Sequence, residues 1–400
     1  MSPRTRATLA YVGAFAAIGA NFPYLPIHYR ALGVDLAAIG LLSALWAGAS
    51  LFASPLWGSV TDRFPRSRLV LPAAALLAAC GAALLSQAAI VVTIALAVVV
   101  VAMSTAGITP MLDARTLDIL GDDRVEYGRI RAWGSISFVV STFLVGLLVR
   151  AVGTEALFLA WIPLLLATAL IALWLPRSRR TSAAGSIWSG ASRVVRSPGM
   201  APFLVAAFLL WASVQAVSSF LSVRLYDLGA GAEVVGAAWI VGSVVEVPIM
   251  FAFPRLAARF GAHRLLVVGA CFFALRAALY AVGGSPAALV LGGIPEGLGY
   301  GLFFVASVGY VAELAPRGRV ATAQGVLAAV AFGMATVTGS TIGGLIATVA
   351  TIPGLFAIAT VLTCASVVAV VVALRMAPHG SGGGGRAAAV PPPPVDSPAP

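Results

Sequence analysis

Long apolar stretches, almost free of charge, recur along the whole chain and are separated by short polar breaks. Each is close to the ~20 residues that a helix needs to cross ~30 Å of hydrocarbon. With 60% hydrophobic and 10% charged residues, the chain lacks the polar surface of a soluble protein of 400 residues. We predict twelve membrane-spanning helices, spans one to twelve, at 8–28, 37–60, 69–87, 90–119, 130–151, 155–175, 202–224, 233–255, 264–283, 287–312, 321–349 and 352–375.

The positive charges cluster at every second break. All 25 basic residues are arginines; twenty flank one side of the predicted membrane, and only Arg30, Arg150 and Arg224 flank the other. By the positive-inside rule, both termini lie in the cytoplasm and the chain is a multi-pass protein of the cell's inner (plasma) membrane. Insertion and attraction to anionic lipid explain the net charge of +11, so we expect a lipid bilayer as partner and no nucleic acid.

No residue pattern indicates an enzyme, a metal or a cofactor. The three cysteines, Cys80, Cys271 and Cys364, lie in different apolar spans without the spacing of a zinc site or a disulfide framework. No Ser/His/Asp constellation or phosphate-binding loop is present. We therefore expect no cofactor, no metal and no enzymatic activity.

The chain has the pattern of a duplicated unit. An arginine-rich loop follows span two at Arg63 and span eight at Arg255, 192 residues later, and another precedes span five at Arg129 and span eleven at Arg319, 190 residues later. Two landmarks with nearly one offset indicate two related six-helix halves. We predict an N-terminal bundle at 1–175, a basic cytoplasmic linker at 176–200, a C-terminal bundle at 201–375 and a disordered Gly/Pro tail at 376–400.

Five charged residues lie inside the predicted spans and away from the span ends. An ionised side chain at the bilayer centre costs roughly 2.5–3.5 kcal/mol on insertion scales, so each needs a functional or pairing role. The alternatives are a solute pathway, a proton relay, a gate or a purely structural ion pair. These residues are Asp113, Arg115, Glu246, Arg276 and Glu296.

Polar and aromatic residues share one face of several spans, which lipid would not favour. We predict that this face lines a cavity and binds substrate, with packing inside a bundle as the alternative. The residues are Asn21 and Tyr24 in span one, Trp211 and Gln215 in span seven, and Tyr300 and Phe303 in span ten.

The loop after span two resembles the Gly-x-x-x-Asp-Arg-x-x-Arg signature of the major facilitator superfamily, with Pro65 in place of the usual glycine; the matching residues are Gly58, Asp62, Arg63 and Arg66. Within that superfamily, four segments are similar to the branch of phenylpropionate permease and the nucleoside–proton symporters, and more distantly to lactose permease. These segments are residues 23–33, 39–40, 55–58 and 127–135. The resemblance implies an all-α membrane protein of twelve helices in two pseudo-symmetric six-helix bundles that works by alternating access.

The same resemblance implies roles for particular residues. Glu246, Arg276 and Glu296 resemble the proton-coupling cluster of lactose permease, with Glu296 as first choice for the proton carrier and Glu246 as relay or substrate ligand. Asp113 and Arg131 resemble its sugar-binding pair, with a gate as the alternative, and Phe138 lies where that family places a stacking aromatic. Asp62, Arg63 and Arg129 lie in loops that latch the halves, and we assign them to gating.

These observations predict a monomeric, proton-coupled secondary transporter of a small organic solute, such as an aromatic acid or another hydroxylated or aromatic metabolite. Import by symport is favoured over efflux of drugs or metabolites by antiport. A non-transporting membrane sensor or scaffold of the same fold is a remote alternative, because the extramembrane segments offer little partner surface.

Overall fold

The computed structural model describes residues 1–64, 68–121, 125–176, 191–316 and 319–376, and these ranges are helical without strands. In the first half the helices are Pro3–Asn21 and Leu25–Ala31 (span one), Leu36–Arg63 (two), Val70–Ser86 (three), Val91–Thr105 and Ile108–Leu120 (four), Val125–Val152 (five) and Ala156–Leu173 (six).

The second half begins with Met200–Asp227 (span seven), Ala232–Phe260 (eight) and Ala262–Val282 (nine). Span ten comprises Pro286–Leu291, Gly293–Gly299, a π-helical turn at Tyr300–Phe304, and Val305–Leu314. Span eleven comprises Val320–Ala328, a second π-helical turn at Ala329–Met334, and the start of Ala335–Met376, whose remainder is span twelve.

These helices confirm the twelve predicted spans. Ten segments of the described residues are long and apolar enough to cross a membrane, one of them, Thr322–Met376, containing spans eleven and twelve, and Val70–Ser86 is a shorter apolar helix. Thr351, with φ of 67°, breaks the helix between spans eleven and twelve. The Asp35 carboxylate accepts the Ala38 N–H at 2.8 Å and caps span two, because the first N–H groups of a helix have no partner within it.

The spans form two six-helix bundles. Span one packs against spans five and six, and span seven packs against the long helix of spans eleven and twelve. Within the predicted linker, a short helix at Ala191–Val195 buries Val194 in the core of the second bundle. The rest of that linker, 177–190, and the tail, 377–400, lie outside the described residues, so the bundle boundaries stay predictions.

Two ion pairs join the bundles at one end of the molecule, here called the closed face. Arg30, at the end of span one, contacts Asp227, at the end of span seven, with 3.2 Å between Nε and Oδ1. Arg150, near the end of span five, contacts Glu233, at the start of span eight, with 2.8 Å between Nη1 and Oε1. The opposite end, which carries Arg63 and the other arginine-rich loops, is here called the basic face.

Glycines bring the two bundles into backbone contact on the side of the closed face. A Cβ added to Gly40 of span two would stand 2.9 Å from the Cα of Gly344 in span eleven. At Gly236 of span eight, a Cβ would stand 2.5 Å from the Tyr24 hydroxyl of span one. No larger residue fits at either point while the bundles keep this distance, so the glycines permit the closed arrangement.

A large side chain at Gly40 should therefore hold the closed face open. We expect Gly40→Trp to lengthen the distance between spin labels at Leu32 and Tyr226, two exposed positions that lie in different bundles at the closed face. Pulsed electron paramagnetic resonance measures this distance. Gly309→Trp is the control, since a Cβ there meets no atom within 4 Å. An unchanged label distance in Gly40→Trp would contradict this account of the interface.

Candidate functional site

A buried ion pair lies in the second bundle. Arg276 of span nine and Glu296 of span ten contact each other with 3.0 Å between Nη2 and Oε1, and their side chains are 1% and 8% exposed. Two charges at this depth are tolerated because each supplies the partner that hydrocarbon cannot. The guanidinium also lies over the Tyr280 ring, 5.2 Å from its centroid.

The pair is incompletely hydrogen bonded. Arg276 Nε and Glu296 Oε2 are buried and have no hydrogen-bond partner. The free Glu296 oxygen faces Gly242 of span eight, whose added Cβ would stand 3.6 Å away. Buried polar atoms without partners are costly, so these two atoms mark the pair as a candidate functional site.

Glu246 lies beside this pair. It is half-buried on span eight, one helical turn beyond Gly242 on the same face, and its carboxylate interacts electrostatically with that of Glu296. Gly297 and Gly301 let span ten approach span eight closely at this point. A Cβ added to Gly297 would stand 2.9 Å from the backbone N of Glu246, and one added to Gly301 would stand 3.3 Å from its carbonyl oxygen. A second carboxylate therefore lies close enough to that of Glu296 to repel it, whereas the guanidinium pairs with Glu296.

A cavity lies between the two bundles, and one of the side chains that line it, Ser218, contacts the ion pair. Its empty volume is roughly 740 Å³, including its open mouth, and Ser218 of span seven lines it. Arg276 Nη2 donates a hydrogen bond to Ser218 Oγ at 3.1 Å. Spans one and two supply the first wall and spans seven, eight and eleven supply the second; the lining residues used below are Asn21, Tyr29, Trp46, Gln215, Trp239 and Thr336.

Comparison with known proteins agrees with this architecture, since residues 5–358 match the MFS_1 like family. The chain belongs to this major facilitator family. It is 28% identical over 337 residues to the maltose permease of Geobacillus stearothermophilus, covering 84% of this chain and 86% of the relative. It is also 25% identical over 332 residues to a probable 3-phenylpropionic acid transporter of Escherichia coli K12, covering 81% and 86%.

A further relative is a putative nucleoside transporter of E. coli K12, YegT, 26% identical over 358 residues and covering 82% of this chain and 80% of the relative. The crystal structure of the nucleoside transporter NupG superimposes with a TM-score of 0.82 at 19% identity over 94% of this chain and 99% of that one. This major facilitator protein is thus a multi-pass membrane transporter of small solutes and not an enzyme.

Of the predicted substrate-binding residues, the structure places Asn21 and Gln215 on the cavity wall of the transporter. Trp211 and Phe303 are 1% and 0% exposed and pack with Tyr300 and Phe273 in the core of the second bundle. Ring centroids of Trp211 and Tyr300 are 5.1 Å apart. These aromatic rings stabilise one another, so the geometry supports the packing alternative for them.

Tyr24 is also buried away from the cavity lining. Its hydroxyl donates to the Thr142 carbonyl at 2.5 Å and stands against Gly146 and Gly236. The side chain therefore joins span one to spans five and eight on the side of the closed face. This geometry favours a role in holding the bundles together over substrate contact.

Asp113 and Arg131 are near each other but do not form the ion pair that the resemblance implies. Asp113 Oδ1 accepts hydrogen bonds from Tyr11 and, at 3.0 Å, from Tyr127. The Arg131 guanidinium instead lies over the Phe15 ring, 4.0 Å from its centroid. Two phenol donors already satisfy this carboxylate oxygen, and neither these residues nor Phe138 lines the described cavity.

Among the predicted gating residues of the basic face, neither Arg129 nor Arg63 has a recorded ion pair with the other bundle in the described part of the chain. Arg129 Nη1 pairs at 2.7 Å with Glu126 on its own helix, Arg63 is exposed, and the Asp62 side chain lies outside the described residues. Sequence reasoning missed Trp46 and Trp239, the indoles on either wall of the cavity. A single tryptophan in an apolar span gives no signal that separates a cavity wall from a lipid-facing surface.

The pairing of Arg276 with Glu296 predicts how variants at these positions change the free energy of unfolding. Arg276→Met leaves an unpaired buried carboxylate and should cost about 3–5 kcal/mol of unfolding free energy, whereas Arg276→Met with Glu296→Met should recover most of the loss. Denaturant unfolding of the purified protein in detergent measures both.

The matched control is Glu313→Gln, which removes an exposed pair with His263 and should change stability by about 1 kcal/mol or less. The single variant Glu296→Met completes the comparison. If the double variant loses as much unfolding free energy as Arg276→Met and Glu296→Met lose together, the result would contradict a stabilising pair.

Proposed function

We propose that the chain is a proton-coupled secondary active transporter that imports a small organic solute across the plasma membrane by alternating access. The observation that carries the proposal is the buried Arg276–Glu296 pair, joined by Ser218 to a cavity between the bundles. Relatives named for maltose, nucleosides and 3-phenylpropionic acid support solute transport and leave the coupling ion open.

The charge balance of the site supports a proton as that ion. Glu296 pairs with Arg276 and also interacts with the Glu246 carboxylate, so these three residues together have one negative charge in excess when both carboxylates are ionised. In a medium of low dielectric constant such an excess is costly, and one bound proton removes it. The free Oε2 of Glu296 has room for that proton, and Glu246 of span eight, one helical turn beyond Gly242, acts as the relay.

Ser218 supplies a route from the proton to the solute. Protonation of Glu296 weakens its attraction for Arg276, which then shifts its hydrogen bonding toward Ser218 on the cavity wall. A solute bound at this wall meets a different set of donors in the two protonation states. Solute and proton therefore change each other's affinity, which is the thermodynamic requirement for coupling.

The two faces fit the alternating-access scheme. If the basic face is cytoplasmic, as arginine placement indicates, the ion pairs Arg30–Asp227 and Arg150–Glu233 close the outer side and the protein is inward-facing. Exposed pairs contribute about 0–1 kcal/mol each, so they are weak enough to break in every cycle. One proton moving through about 100 mV supplies about 2.3 kcal/mol, roughly a fortyfold solute gradient.

Proteoliposomes with an imposed pH gradient test this mechanism. We expect Glu296→Gln, which cannot exchange a proton, to abolish gradient-driven solute accumulation while solute counterflow persists. Glu313→Gln, on the same span but 60% exposed, is the control and should accumulate solute normally.

Accumulation by Glu296→Gln at the wild-type level would remove this residue from the coupling mechanism. The direction of the imposed gradient that drives accumulation separates import by symport from the alternative, efflux by antiport.

A further inference from the structure

The cavity walls carry no ionised side chain among the described residues that line them. Arg276 contacts the wall from behind, through Ser218, and is paired with Glu296. An ionised solute buried here would lose its hydration without gaining a counter-charge, which is far more costly than burying a hydrogen-bonded neutral group. The walls therefore select against carboxylic acids and organic cations.

Polar groups without protein partners face the cavity from both bundles. Tyr29 of span one, Gln215 of span seven and Thr336 of span eleven line it, and their side chains make no hydrogen bond to the described protein. Asn21 donates its Nδ2 to the Ala17 carbonyl at 2.9 Å, and its side-chain oxygen has no donor. These groups match a solute with several hydroxyls, because each unmet donor or acceptor at membrane depth is costly.

Two indole rings are fixed on opposite walls. Trp46 of span two stacks on Trp161 with 6.4 Å between centroids and 28° between planes. Trp239 of span eight is held by Phe22, 4.8 Å away between centroids, and donates from Nε1 to Ser222 Oγ at 3.0 Å. Rings held in this way present large, rigid apolar surfaces to the flat face of another ring at little entropic cost.

We propose that this cavity binds an uncharged, ring-shaped polyol, the chemistry shared by glycosides and nucleosides. Its hydroxyls pair with Tyr29, Gln215 and Thr336, and its ring lies against Trp46 or Trp239. The assignment names the solute of the transport site proposed above, so it rests on that function, but it does not depend on which ion drives transport.

Equilibrium binding to the purified full-length chain in detergent, at one pH and without a gradient, tests the assignment by calorimetry. Glucose, maltose, sucrose, uridine and adenosine are the neutral probes, 3-phenylpropionate is the anionic probe and tetraphenylphosphonium is the cationic probe. We expect at least one neutral probe to bind at least tenfold more tightly than both charged probes. The preferred neutral probe distinguishes a glycoside from a nucleoside.

Two variants test the contacts. Gln215→Leu and Thr336→Val should each weaken binding of the preferred polyol by about fivefold to a hundredfold, as expected for a lost hydrogen bond with an unpaired partner. Gln87→Leu, at an exposed site beyond span three, and Thr360→Val, whose hydroxyl donates to the Phe356 carbonyl at 2.8 Å in span twelve, should bind as wild type. Melting temperatures confirm that the variants are folded.

Tighter binding of either charged probe, or no binding of any neutral probe by the wild type, would overturn the assignment. Wild-type affinity in both folded cavity variants would do the same. If a polyol binds but a pH gradient does not drive its accumulation, the solute assignment stands and proton coupling fails, so the two proposals are distinguished.

Discussion

The attraction between Arg276 and Glu296 makes charge possible in the middle of the second bundle. Neither charge would be stable there alone. Together they join spans nine and ten, with 3.0 Å between Arg276 Nη2 and Glu296 Oε1. The pair is buried yet leaves Oε2 of Glu296 and Nε of Arg276 without partners. A proton or a new hydrogen-bond partner could satisfy these atoms, and the proposed coupling makes use of that opportunity.

The remaining structure connects this pair to movement. Ser218 links Arg276 to the cavity, and glycines on spans two, eight and eleven allow the bundles to meet on the side of the closed face. The bundles also pack against each other, span two against the long helix of spans eleven and twelve and span five against span eight, and the ion pairs that join them are partly exposed and weak. The proposed alternating access requires the two bundles to move relative to each other about a cavity whose walls come from both.

The sequence predicts the helices and the buried pair well, because both depend on one-dimensional signals. The length of a stretch without charges defines a span, and a charge such as Glu296 inside a span needs a partner. The sequence does not show whether Trp211 and Phe303 face the cavity or the core of the bundle. Helical spacing shows that residues share a face, but it does not show which neighbour covers that face. Asp113 and Arg131 have the spacing of a pair, but competing donors from Tyr11 and Tyr127 decide the contact.

The central claim is that Glu296 holds a proton that can leave and return. Infrared difference spectroscopy of the membrane-reconstituted protein across a pH titration observes this directly, because a protonated carboxyl group has a carbonyl stretching band that an ionised one lacks. We expect a band from a buried carboxyl group that appears and disappears with pH in the wild type and is absent in Glu296→Gln. An identical titrating band in that variant, or no titrating band in the wild type, would contradict the account.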